Sequence, residues 1–196
     1  MVCRLLLRMY GRRLHSLLLG EQMKNSKKTA FCGLIVALSV VSMLLAYFPY
    51  FTYAIPAFAG ALMFVICIEI GRTWALGSYI AASIIVMFIC EKEAATLFAG
   101  FFGFYPIIKG VLEQYVKTPI AWVLKFLIFN IAAIFSYLVI TFVFGIPFFD
   151  GSFSPKIFLG VILVLGNIVF CLYDIGLTRV ISAYIIRLHS RISKLF

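Results

Sequence analysis

An all-α integral membrane bundle of six transmembrane helices is the fold this sequence predicts, and three observations predict it. Of 196 residues, 64% are hydrophobic and only 12% charged, with a mean hydropathy of +1.12. A water-soluble domain of this size has too little interior to hide that much apolar surface, so the bilayer is the expected solvent. The apolar residues form long continuous runs and do not alternate, which selects helices over the strands of a closed barrel. Finally, the basic residues concentrate in the tails and in alternate short loops, as a chain threaded through a membrane requires.

Residues 1–28 differ in character from the rest. They carry Arg4, Arg8, Arg12, Arg13, Lys24, Lys27 and Lys28 against a single Glu21. The leucines and arginines suit either a short basic amphipathic helix on an anionic membrane surface or a stretch ahead of a natural start at Met23. A signal peptide fits less well, because arginines interrupt the first apolar runs. A single membrane domain is expected over 29–186, followed by a basic tail at 187–196. Its apolar segments are 29–48, 52–70, 74–90, 94–110, 120–145 and 156–183. Most reach the roughly 20 residues that a spanning helix needs, the third and fourth being shortest. The Tyr105-Pro106 pair predicts a bend within the fourth. Placing the N-terminus in the cytoplasm puts Arg72, Lys109, Lys117, Arg187, Arg191 and Lys194 inside and leaves Lys92 and Lys156 outside. Both termini are therefore expected to be cytoplasmic, in a bacterial plasma membrane.

Ionisable and amide side chains inside apolar runs are expensive, which makes each one a functional candidate. Glu69 and Arg72, three residues apart, are expected to pair at an inner helix end. Lys125 is expected to snorkel toward the headgroups. Asp174 and Arg179 suit interfacial anchors, Asp174 being deep enough to meet a neighbouring helix or a partner subunit. Asn130 and Asn167 sit near mid-depth of the fifth and sixth segments. Whether they bond each other or line a cavity, they are expected to approach if those helices pack together.

The outer face collects the other candidates. The first outer loop supplies Tyr47, Tyr50 and Tyr53, the second supplies Glu91, Lys92 and Glu93, and the third supplies Asp150 beside Phe148 and Phe149. Aromatics at that level ordinarily form an anchoring belt. Glu91 and Glu93 suit a helix N-terminus, where a carboxylate meets the positive dipole end, but a cation at Lys92 does not. Aromatic walls with two carboxylates and an ammonium form a plausible rim for a small polar ligand.

Other functions find little support. The basic residues do not interleave with exposed aromatics as in a nucleic-acid reader, so no nucleic-acid partner is expected. The five cysteines make no CxxC pair and the two histidines lie in opposite tails, so neither metal nor cofactor is expected. No HExxH, GxSxG or glycine-rich phosphate loop is present, and the chain is read as a non-enzyme.

The first helix opens KKTAFCGLIVALSVVSM, in which Ala30, Gly33 and Ala37 form a face of small residues that lets another helix come close. This opening resembles the substrate-binding S components of energy-coupling factor transporters. The stretch KEAATLFAGFFGFYPIIK also resembles a group of small bacterial membrane proteins of this layout. The S-component resemblance extends over about residues 24–190. It implies six helices, a coupling subunit docked on Ala30, Gly33 and Ala37, and a separate pair of ATPases. It further implies an outer pocket for a micronutrient-like molecule, drawing on Tyr47, Tyr50, Tyr53, Glu91, Lys92, Glu93, Asn130 and Asp150. The alternative resemblance is to rod-shape-determining D proteins, which implies a non-catalytic scaffold.

Overall fold

The computed structural model describes residues 25–48, 50–145 and 155–189; Asp150, Pro49 and both tails lie outside them. All regular structure among the described residues is helical. Helix α1 spans Asn25–Leu44 and ends in a 3-10 turn at Leu45–Tyr47. Helix α2 spans Ala54–Glu69 and α3 spans Arg72–Ile89. The fourth body has two parts, α4 (Lys92–Leu97) and α5 (Tyr105–Tyr115), joined through a π-helical turn at Phe98–Phe102. Helix α6 spans Thr118–Leu138 and runs into a second π turn, Val139–Val143. Helix α7 spans Pro155–Tyr184, with a third π turn at Ile185–His189.

Five of these bodies are long and apolar enough to cross a membrane. The second expected segment departs from this: α2 is a 16-residue apolar helix, below spanning length. Its sequence is apolar all round because it is a core element. Pro56, Ala59, Gly60, Met63, Phe64, Ile66 and Ile68 are all buried. At its end Gly71 adopts φ +131°, a conformation open to glycine, which permits the tight turn into α3.

Two apolar cores share this short helix. One is built by α1, α2 and α3 around Met43, Met63, Ile66, Ala82 and Val86, with Ala94, Ala95 and Phe98 added from the fourth body. The other joins Phe64 and Ile68 of α2 to Phe101, Tyr105, Ala132, Phe170, Leu177 and Ile181. The fourth body is accordingly the most enclosed of the five long ones: 56% of its spanning window is buried, against 17–33% for the others. Outward faces remain apolar. Val41, Phe88, Phe135, Phe142 and Val169 are each more than half exposed, a surface suited to lipid and ill suited to water.

The fourth body is longer than the expected 94–110, and its interior is broken where Tyr105-Pro106 predicts a bend. Pro106 falls in the first turn of α5, where its missing N–H costs no hydrogen bond. The π turn ahead of it frees the Ala99 carbonyl, which accepts a hydrogen bond from the Tyr79 hydroxyl of α3. Glycines make that close packing possible. A Cβ at Gly103 would lie 2.6 Å from the Tyr79 ring, and one at Gly60 would lie 2.0 Å from the Phe102 carbonyl oxygen.

Candidate functional site

At one end of the bundle Tyr47, Tyr53, Glu91 and Glu93, four of the residues expected at the rim, bond within the chain. Glu91 is the N-cap of α4, its carboxylate accepting from the amides of Glu93 at 3.1 Å and Ala94 at 2.9 Å. The Tyr53 hydroxyl donates to Glu93 Oε1 at 2.7 Å, tying α2 to α4, and Tyr47 donates to the Ile89 carbonyl at 2.8 Å. Lys92, the residue a helix cap left unexplained, places its ammonium 4.9 Å from the centre of the Phe144 ring. Tyr50 is 93% exposed. Asn130 lies 14 residues before Phe144 along α6 and its π turn, about 20 Å at 1.5 Å per residue, so it is not part of the rim.

Burial and the Glu93 carboxylate push the Tyr53 phenol up to about 12 from its ordinary 10. A raised phenol favours the protonated folded state. The Tyr53–Glu93 contact is thus complete below pH 10 and is lost as pH rises through about 12. The phenolate absorbance step that disappears in Tyr53→Phe is expected near pH 12; a step near 10 would contradict the contact.

Asn130 and Asn167 do approach. Each side-chain amide donates to the other's oxygen at 3.1 Å, and each also donates to the carbonyl four residues back in its own helix. The pair stitches α6 to α7 at mid-depth. Asn130→Leu is expected to cost about 1 kcal/mol in reversible unfolding. Asn130→Leu with Asn167→Leu is expected to cost less than the sum of the single changes, because no amide is then left alone.

The ionisable residues converge elsewhere, toward the opposite end. Tyr105, Lys109 and Glu113 succeed one another every four residues along one face of α5. Lys125 of α6 and Asp174 of α7 point at that face. Lys125 Nζ lies 2.6 Å from Glu113 Oε1 and 2.9 Å from Asp174 Oδ2. Lys109 Nζ lies 3.0 Å from the same Glu113 oxygen, 2.5 Å from Asp174 Oδ1 and 3.1 Å from the Asp174 carbonyl. The Tyr105 hydroxyl donates to Asp174 Oδ1 at 2.5 Å. Two ammonium groups and two carboxylates make the quartet formally neutral. Lys109, Lys125 and Asp174 have side chains 1–4% exposed, whereas Glu113 is 14% exposed.

This arrangement corrects one expectation and decides between the alternatives of another. Lys125 does not snorkel: seven residues into α6, about 10 Å from its start, it turns inward to two carboxylates and the Trp122 ring. Of the two readings of Asp174, the structure shows the contact with neighbouring helices, through Tyr105, Lys109 and Lys125. The physical reason is shared. A lone buried charge is costly, and these residues offset that cost by meeting one another. Glu69 and Arg72 likewise reach other helices. Tyr184 of α7 donates to Glu69 at 2.7 Å, while Arg72 donates to Gln114 and lies over the Tyr115 ring.

Above the quartet an aromatic layer closes the bundle. Phe101 packs on Tyr105, and Phe129 stacks on Phe170 with centroids 4.8 Å apart. Within the quartet Glu113 is the most exposed member, at 14% against 1–4% for the others. On the far side of the molecule, Ala30, Gly33 and Ala37 of α1 are exposed, and nothing lies within 4 Å of a Cβ placed on Gly33.

Comparison with protein-family models, with curated proteins and with solved structures found no match to this chain.

Proposed function

We propose that this chain is the substrate-binding membrane subunit of a transporter, resembling an energy-coupling factor S component and working with a separate coupling subunit and ATPases. The observation that carries the reading is the bare small-residue face of α1. The opposite face of that helix buries Cys32, Ile35, Ser39 and Met43 against α2 and α3, while Ala30, Gly33 and Ala37 lie open. In lipid, where apolar burial supplies no drive, such a face favours close approach of another helix. The proposed setting is a bacterial plasma membrane with both termini cytoplasmic, which puts the Glu91 end outside. The micronutrient-like ligand would be captured there, at Tyr47, Tyr50, Tyr53, Lys92 and Glu93.

A scaffold resembling rod-shape-determining D proteins is the competing reading. The internal engagement of Tyr47, Tyr53, Glu91 and Glu93 favours it, since a rim satisfied within the chain needs no ligand. Purification of the intact chain from native membranes separates the two. Recovery of a membrane subunit with paired ATPases, lost in Gly33→Leu while thermal stability is unchanged, is the expected result. Recovery of cell-wall machinery without an ATPase would overturn the transport reading.

A further inference from the structure

We infer that Lys109 and Lys125 form a binding site for an oxyanion, carboxylate or phosphate, in which Glu113 is an internal stand-in that the incoming anion displaces. The two carboxylates of the quartet are held very differently. Asp174 accepts from Tyr105, from Lys109 and, through both oxygens, from Lys125. It is fixed at depth by three side chains from two other helices. Among the described residues Glu113 is held by the two lysines alone, and both reach the same oxygen, Oε1. Its Oε2 has no partner among the described residues. It is the most exposed member of the quartet and stands two residues from the end of α5, beside exposed Tyr115 and Lys117.

Charge makes the exchange selective. With Glu113 in place, two cations face two anions. With Glu113 swung outward, two cations face Asp174 alone, and one uncompensated positive charge remains in a buried, low-dielectric site. Such a state is disfavoured unless another anion takes the vacated position. An oxyanion has what Glu113 supplies: oxygens able to accept from both ammonium groups at once. A neutral solute or a cation gains nothing there. Phe101, Phe129 and Phe170 pack together on the mid-depth side, while Glu113, the most exposed member, stands near the end of α5, so the anion is expected to enter past the α5–α6 connection. This site lies at the end opposite Lys92 and needs no partner subunit. Its test on the isolated chain therefore succeeds or fails separately from the transport reading.

Trp122 is the reporter, since Lys125 Nζ lies 5.0 Å from its ring centre. With Trp74→Phe as background, the full chain is placed in zwitterionic lipid nanodiscs and titrated with inorganic phosphate at constant ionic strength. Glu113→Gln empties the site of its internal anion without changing its shape. It is expected to bind phosphate about tenfold or more tightly than the parent, and the gain is expected to vanish when Lys125→Met is added. A parallel set in nanodiscs containing phosphatidylglycerol, without phosphate, distinguishes a lipid headgroup from a soluble anion as the source. A response in either set, dependent on Lys125, sustains the site. A folded Glu113→Gln variant that responds in neither set, or equally with Lys125→Met, overturns it. If Glu113→Gln does not fold, amide exchange on the unsubstituted chain decides. Phosphate is expected to speed exchange over residues 110–116 relative to chloride, and unchanged exchange overturns the proposal.

Discussion

Asp174→Asn is expected to destabilise the bundle by about 3–5 kcal/mol. The substitution keeps the shape of the side chain and removes its charge. Lys109 and Lys125 are then left with Glu113 as the one carboxylate between them, and Tyr105 loses a charged acceptor. One positive charge stays buried without compensation. The loss comes from charge imbalance more than from missing bonds. Asp174→Asn combined with Lys109→Met removes one charge of each sign and is expected to recover most of the loss. Reversible unfolding in detergent or nanodiscs measures both variants. A single variant that costs under about 1 kcal/mol would mean that water reaches the quartet and screens it, against the burial described here.

Gly60→Ala is expected to cost about 3 kcal/mol or more. The added methyl would sit 2.0 Å from the Phe102 carbonyl oxygen and 2.7 Å from its carbon. Both are backbone atoms, so no rotamer change relieves the clash. Either α2 or the π turn must move, and α2 contributes residues to both cores. Gly77→Ala is the matched control. No atom lies within 4 Å of its added methyl, and its helix gains from losing a glycine, so a stabilisation of about 0.5–1 kcal/mol is expected. Thermal denaturation of the two variants side by side separates close packing from general glycine effects. Equal behaviour would mean that the α2–π turn approach is not as tight as described.

The helices were largely readable in advance. Hydropathy locates each of the six helical bodies among the described residues, five of them long enough to span, and Tyr105-Pro106 locates the break in the fourth. Asn130 and Asn167 were expected to meet on the condition that α6 and α7 pack, and they do. Glu91 was legible as an N-cap because capping is a contact between residues two or three apart. The ion quartet was less legible. Its nearest signal was the spacing of Tyr105, Lys109 and Glu113 on one face of α5, together with Lys125 and Asp174 lying well inside apolar runs. Each cation and carboxylate has a respectable solitary explanation, as a snorkelling or anchoring group, and taken one at a time those explanations hide the network. The short length of α2 was missed for a related reason. A helix apolar on every side can be lipid-facing or buried in protein, and hydropathy does not distinguish the two.

Lipid makes secondary structure a local matter. Each segment must satisfy its own backbone, so a run of apolar residues specifies a helix with no reference to the remainder of the chain. The all-helical fold, the apolar outer surface and the positions of the costly polar groups all follow from that. How the helices rotate about their axes is another kind of information. It decides that Asp174 meets Tyr105, Lys109 and Lys125, residues 69, 65 and 49 positions away, and that the small face of α1 looks outward while Gly60 looks in. Those pairings depend on packing across helices and on the cost of leaving any one charge alone, a sum over several segments that no single run of sequence contains.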